Sequence, residues 1–352
     1  MSDELSQKYR LLALPLAALS WVYEGVMRLR AWFYDVGVLP SESSGATIIS
    51  IGNLQAGGTG KTPMTAFLAR RWGARVRLGI LSRGYRRSTK GSHHVPVDGD
   101  DTAEKYGDEP AWFAREFRAE PRVPVQVAED RVTGARDLAI AEATKVILLD
   151  DGFQHLRLRR SFDFVLLDVS APLWHWRSLP LGRLREPLSA LRRADAVILT
   201  KTDLATEERV QALVGRARRH AKPNVPVLKF KQSLTWKKQT PYEPLLVAAG
   251  LARPDVFFEM VRAHALQPVV KETIVFADHH RYTASDVEMM IEKARALDVK
   301  RVLVTEKDAV KLESLWHGDV ELAVARLDVM PAGPEDEIAL QKIEAQLLFD
   351  QG

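Results

Sequence analysis

IGNLQAGGTGKTP, residues Ile51 to Pro63, lies between a β-branched run, Thr47-Ile48-Ile49-Ser50-Ile51, and MTAFLARRW, whose apolar residues recur at helical spacing. A strand, a glycine-rich turn and GKT opening a helix make up the context that a phosphate-binding loop requires. Gly57, Gly58 and Gly60 admit backbone angles closed to other residues, so successive N–H groups can turn inward around a phosphate. With Thr59 they form the predicted nucleotide-binding turn. Lys61 is placed to reach the β- and γ-phosphates, and the Thr62 hydroxyl to ligate Mg²⁺. The general pattern asks for a glycine five residues before Gly60, where Gln55 stands. The expectation is a nucleoside triphosphate site.

Further along, continuous apolar runs recur, each ending in a polar cluster. Arg77 to Leu81 runs into Ser82-Arg83-Gly84-Tyr85, Val123 to Ala128 into Glu129-Asp130-Arg131, and Val146 to Leu149 into Asp150-Asp151-Gly152-Phe153-Gln154-His155. Phe164 to Asp168 and Ala196 to Thr200 have the same form. Such runs alternating with helices predict a parallel sheet covered on both faces. Active groups in such sheets gather at the carboxyl ends of the strands.

From Ala221 the texture changes. KPNVPVLKFKQSLTWKKQTPYEP alternates and carries prolines at both ends, which predicts a small β-hairpin joining two domains. A second αβ pattern starts at Leu245, with Ser285 and Glu288 as a capping box for the helix DVEMMIEKARAL. The fold expected is α/β: a P-loop NTPase-type parallel sheet domain, then a smaller α/β domain. The predicted boundaries are 1–45 for an N-terminal helical region, 46–228 for the P-loop domain, 229–243 for the hairpin and 244–352 for the smaller domain.

A length of 352 residues with 46% hydrophobic and 27% charged residues suits a globular protein of two domains. The absence of cysteine excludes disulfides, thiolate metal sites and cysteine nucleophiles. A net charge of +4 and a pI near 9.1 suit an anionic partner without choosing among nucleic acid, phospholipid and a phosphorylated metabolite. Leu11 to Val22 is uncharged and almost wholly apolar, yet too short to cross a bilayer, which takes roughly 20 residues. Trp21, Tyr23, Trp32, Phe33 and Tyr34 lie beside it with Arg10, Arg28 and Arg30, the composition of a helix lying in a membrane interface. Such a helix packed on the protein's own core is the competing expectation.

Beyond the loop, a P-loop enzyme needs an acid after a hydrophobic strand; Asp150 and Asp151 fit, with Asp168 as the alternative. An alcohol acceptor needs a positioned base. Asp108, in Gly107-Asp108-Glu109-Pro110 at a helix start, can serve as base or as helix cap. His279 and His280 are histidines of the second domain, and Arg83, Arg86, Arg87 and Arg131 are candidates for an anionic substrate.

GNxxxGGTGKTP, SRGY, GDEP, EDR, LDDGFQH, LREPL, ADHH and TEKDAVKL occur in that order over most of the chain. The ordered set resembles the tetraacyldisaccharide 4′-kinase family, the lipid A kinases of Gram-negative bacteria, whose loop does not require a glycine at the position of Gln55. The resemblance implies transfer of the γ-phosphate of ATP to the 4′-hydroxyl of a tetraacylated glucosamine disaccharide 1-phosphate, in lipid A biosynthesis. The expected partners are ATP, that lipid and, through the N-terminal helix, the cytoplasmic face of the inner membrane, with no nucleic acid. It implies Asp108 as base, supported by His279, and Lys61 and Thr62 as the P-loop pair; because Asp108 and His279 lie in different predicted domains, the two are expected to meet only when the domains close. Asp150, Asp151 and Glu186 match acids at the metal and phosphate end; Arg83, Tyr85, Arg131, Gln154 and His155 match positions for the sugar and its phosphate. Two other classes compete: a P-loop GTPase or metallochaperone, from Thr200-Lys201-Thr202-Asp203 as an echo of a guanine-reading NKxD, and a non-catalytic nucleotide-binding adaptor at the membrane.

Overall fold

The β-branched run at Thr47 and the apolar runs that end in polar clusters all become strands. The computed structural model describes residues 3–97, 102–119, 122–251, 254–278 and 280–349. In chain order the first strands are β1 (Thr47–Asn53), β2 (Leu78–Ser82), β3 (His93–His94), β4 (Val125–Val127), β5 (Val146–Asp150), β6 (Phe162–Asp168), β7 (Ala196–Thr200) and β8 (Val227–Thr235). They lie in the order β3-β4-β2-β5-β1-β6-β7-β8, all parallel except β3 against β4. Strands β9 (Pro244–Ala249), β10 (Val269–Val275), β11 (Arg301–Thr305) and β12 (Glu321–Pro331) form a second parallel array in the order β10-β9-β11-β12.

The two arrays join into one sheet through a single antiparallel pair, β8 with β12, in register from Phe230↔Pro331 to Thr235↔Arg326. The alternating stretch after Ala221 is therefore one strand and not a local hairpin. Its period of two fixes which residues face inward, but a partner 90 residues away leaves no mark on it.

The helices are α1 (Asp3–Asp35), α2 (Lys61–Gly73), α3 (Thr102–Tyr106), α4 (Asp108–Glu116), α5 (Arg131–Ala141), α6 (Glu207–His220), α7 (Pro254–Arg262), α8 (Ala284–Ala296), α9 (Glu306–Leu312) and α10 (Pro334–Phe349). Their apolar sides cover the sheet. Met64, Leu68 and Trp72 of α2, Phe113 of α4 and Leu340 of α10 pack on Ile49, Ile51, Leu148 and Phe164 of the central strands. The other face carries Val210, Leu213 and Ala217 of α6 against Val165, Leu167 and Val197. Each fully buried Ile or Leu contributes about 1.5–3 kcal/mol, against about 0–1 kcal/mol for an exposed ion pair. The core therefore holds the fold, and the ion pairs set its alignments.

The capping box of α8 differs from the one expected. Thr283 is the N-cap and Asp286 closes the box, so Ser285 lies inside the helix. Asp286 serves twice, since it also accepts from His280 Nε2 at 3.1 Å, which ties the preceding loop to the helix start.

α1 is amphipathic with an unusual sense. Its inward residues are the polar ones: Ser20 Oγ donates to Ser178 O (3.1 Å), Tyr23 Oη to Arg185 O (2.6 Å), Arg30 to Gln154 O (3.0 Å), and Glu24 accepts from Ser178 Oγ (2.7 Å). Its outward residues are apolar: Leu14, Leu19, Trp21, Val22, Val26, Leu29 and Trp32 are all at least half exposed. Among the described residues, no helix is long and apolar enough to cross a membrane.

Candidate functional site

The loop between β1 and α2 has the geometry its glycines foretell. Gly57 and Gly60 take φ of +117° and +89°, and Gly60 caps α2 so that Lys61 opens the helix. Gln55 has no left-handed backbone to supply, so the glycine of the general pattern is not needed there. Its side chain, 2% exposed, instead accepts from the Asp168 N–H at 2.9 Å and ties the loop to the end of β6. Asn53 braces the loop from inside through the Gln55 carbonyl (2.7 Å) and the Thr59 hydroxyl (2.6 Å). Thr200 at the end of β7 donates to Thr59 O at 2.9 Å.

The LREPL segment is the loop's other wall. Ala56 N–H donates to Arg183 O and Arg185 N–H to Leu54 O, both at 2.7 Å, which makes a short antiparallel bridge. Arg185 then turns its guanidinium onto Asp151 in bidentate fashion (2.7 and 3.0 Å) and onto Asn53. Lys61 Nζ is 3.7 Å from the same Asp151 carboxylate. Against the opposing effect of burial, Arg185 and Lys61 hold Asp151 at about pKa 2. Glu186, 2% exposed, pairs with Arg193 at 2.8 Å, and its other carboxylate oxygen has no hydrogen-bond partner.

The turn Gly84 of SRGY presses on the turn before α4: a Cβ at Gly107 would come within 3.1 Å of Gly84 Cα. That contact sets where Asp108 and Glu109 begin the helix. Thr62 Oγ1 donates to Glu109 Oε1 at 2.8 Å, so the nucleotide loop and the GDEP turn meet directly. From the far array, α9 sends Lys307 to Glu109 (2.6 Å) and Lys311 to Asp108 (2.8 Å); Lys311 also reaches His280 O at 3.3 Å. Burial would raise Glu109, but Lys307, Thr62 and Lys61 outweigh it and hold the carboxyl at about 2. Asp150 at the end of β5 is 3% exposed, 3.5 Å from Thr65 Oγ1 and 3.4 Å from Ser82 Oγ. Burial, then the charge of Glu109, push it up to about 7. His279 lies outside the described residues.

Beside the acids stands a cationic cluster. Arg131, 2% exposed, donates to Ala128 O, and its Nε has no partner. Burial, then the nearby Arg83, lower it to about 10. His155 is pressed down to about 4 by burial and by Arg131, Arg83 and Arg30, so its ring is neutral at pH 7. Gln154 anchors the cluster by donating to Asn53 O at 2.9 Å. Tyr85 is 64% exposed, with Arg86 over its ring at 5.4 Å.

Asp168 and the TKTD turn brace the loop from the ends of β6 and β7. Lys201 pairs with Asp168 at 2.5 Å and donates to Gly58 O at 2.8 Å, while Asp203 accepts from the Gln232 N–H at 2.9 Å. The aspartate that would read guanine is thus engaged with β8.

Mg²⁺ at such a loop takes one or two side-chain oxygens and completes its shell with phosphate and water. Among the described residues no group of three or more His, Asp or Glu is arranged to hold a metal alone. Thr62, Glu109 and the crowded, buried Asp150 are a donor set that fits this need, since a dication answers both carboxylates at once. Glu109, Lys307 and Lys311 are absent from the sequence-based candidates, although GDEP and TEKDAVKL both stood out as motifs. What was missing was the contact between them, across about 200 residues of sequence.

The model of the tetraacyldisaccharide-1-P 4′-kinase family matches residues 12–347 of this chain. A tetraacyldisaccharide 4′-kinase of Bdellovibrio bacteriovorus is 33% identical over 345 residues, covering 95% of this chain and 98% of that protein. One from Geobacter metallireducens is 35% identical over 345 residues, covering 95% and 99%. Among solved structures, the "apo" form of LpxK from Aquifex aeolicus in complex with ATP is similar, with a TM-score of 0.72, 28% identity and coverage of 96% of this chain and 99% of that one.

Proposed function

The chain belongs to the tetraacyldisaccharide-1-P 4′-kinase family, and we propose that it transfers the γ-phosphate of ATP to the 4′-hydroxyl of a tetraacylated disaccharide 1-phosphate. The observation that carries this reading is the Thr62–Glu109 hydrogen bond of 2.8 Å. It sets the phosphate loop beside the dipeptide that also contributes Asp108, so donor and acceptor machinery share one turn of α4.

In this reading Gly57 to Thr62 hold the triphosphate and Lys61 balances charge on the transferring group. Thr62, Asp150 and Glu109 would hold Mg²⁺, with Asp151 and Glu186 as the further acids of that end. When bound, the ion shields the β- and γ-phosphate oxygens. Asp108 takes the proton of the 4′-hydroxyl as its oxygen bonds to the γ-phosphorus and the bond to the β–γ bridging oxygen breaks, releasing ADP. Arg83, Tyr85, Arg131, Gln154 and His155 receive the sugar and its phosphate; the unpartnered Arg131 Nε supports a role toward an anion.

The test is incubation with labelled ATP or GTP and a panel of glycolipids in vesicles, with and without EDTA. Label is expected on the acylated disaccharide 1-phosphate from ATP alone, and only with divalent cation present. Label from GTP at equal rate, or nucleotide hydrolysis without labelled lipid, rejects the reading.

We place the enzyme at the cytoplasmic face of the bacterial inner membrane, peripheral or monotopic, with the apolar outer side of α1 in the headgroup region. The support is that the polar side of α1 is spent on the protein and the apolar side is exposed. Deleting residues 1–34 is expected to leave a folded chain that no longer sediments with anionic vesicles. Sedimentation equal to that of the full chain would put the membrane contact elsewhere.

A further inference from the structure

The mechanism above gives α9 no task, yet α9 reaches into the site from the second array with two lysines, Lys307 and Lys311. Lys307 and Lys311 are one helical turn apart, and Asp108 and Glu109 are consecutive at the start of α4. Both ion pairs form together only in one register of α9 against α4. α9 is fixed in that register from its own side: Thr305 caps it, and the buried Asp308 accepts from the Gly250 N–H at 3.1 Å.

Glu109 Oε1 is the meeting point. The same oxygen accepts from Thr62 Oγ1 at 2.8 Å and from Lys307 Nζ at 2.6 Å. It therefore has on one side the hydroxyl expected at the metal, and on the other a full positive charge delivered from about 200 residues away. Side chains that remain about a third exposed, 36% for Lys307 and 33% for Glu109, gain little stability from such a pair. An apolar contact would join the two arrays at least as well. What lysine adds at this oxygen is charge.

We propose that Lys307 is a placeholder for the divalent cation, a positioning residue that keeps Glu109 balanced and aimed at Thr62 until Mg²⁺·ATP takes over that oxygen. The inference rests on reading Thr62, Glu109 and Asp150 as the metal end. It predicts that metal-free and metal-bound nucleotide respond differently to the loss of one lysine. Without Lys307, a bare carboxylate faces an incoming triphosphate that brings no cation of its own.

Calorimetric titration of ATP into the full chain, in EDTA and in Mg²⁺, reads this directly. Lys307→Met is expected to weaken metal-free ATP binding about tenfold, in the range of coupling between contacting charges, and to change Mg²⁺·ATP binding by less than about threefold. Lys307→Arg should keep the full chain's values, and Glu109→Gln with Lys307→Met should recover metal-free binding. Equal weakening of both forms, or no recovery in the double variant, overturns the proposal and leaves Lys307 a structural tie. If Lys307→Met melts far below the full chain, Lys307→Gln is read in its place by the same criterion. If the full chain binds ATP no more tightly in Mg²⁺ than in EDTA, the metal reading itself falls, and the inference with it.

Discussion

Lys61→Ala lowers kcat by a factor on the order of 10²–10³, the loss seen when one preorganised charge-stabilising donor is removed from a transition state. The structure gives the lysine few substitutes. Its Nζ stands 3.7 Å from Asp151, whose carboxylate is already taken by Arg185 in bidentate fashion. Lys201 is committed to Asp168 and to the Gly58 carbonyl, and Lys307 to Glu109. Both of these lysines are held by carboxylates of their own, so the loss should appear in kcat at saturating ATP and glycolipid and not only in KM. A variant with nearly full turnover would show that the γ-phosphate is not handled at this loop.

Asp108→Ala is expected to cost about 10²–10⁴ in kcat, the usual contribution of a positioned general base. Asp108 sits at the first position of α4, beside the turn that Gly84 and Gly107 press together, and Lys311 holds one of its oxygens at 2.8 Å. Those contacts aim a carboxylate; a helix cap alone would not call for them, since Gly107 is the N-cap and makes no side-chain bond. His279→Ala and the double variant complete the measurement. If the histidine acts through Asp108, the double loses little more than Asp108→Ala alone. Strictly multiplicative losses would mean separate roles, and a mild loss at Asp108 would send the search for the base elsewhere.

What the sequence discloses here depends on how far apart the interacting parts lie. The loop from Gly57 to Thr62 is legible because strand, glycines, lysine and helix are contiguous, and backbone geometry alone specifies them. The central strands are legible because burial on both faces leaves an uninterrupted apolar run, as in Val146-Ile147-Leu148-Leu149. Strand β8 is half legible: its alternation shows a face, while its partner β12 follows it by some 90 residues. The capping box of α8 is only half legible because two hydroxyl–acid spacings compete, Thr283 with Asp286 and Ser285 with Glu288, and only the surrounding loop with His280 selects the first. Glu109 is the plainest gap. It stands next to Asp108 in a motif already singled out, and only the fold brings Thr62 and Lys307 to it.

The last helix has a consequence for how the chain is made. α10 returns across the junction to cover α2, with Glu344 accepting from Trp72 Nε1 at 2.9 Å and pairing with Arg71, and with Leu340 and Ile343 entering the same core as Met64 and Leu68. Trp72 and Glu344 are 272 residues apart in the sequence. At a synthesis rate of about 5–20 residues per second, roughly 15–55 s pass between the appearance of Trp72 and that of its cover. Through that interval the nascent nucleotide-loop helix has one apolar side open to water and to other chains. The core that Leu340 and Ile343 complete beside Met64 and Leu68 is therefore open until α10 has been made.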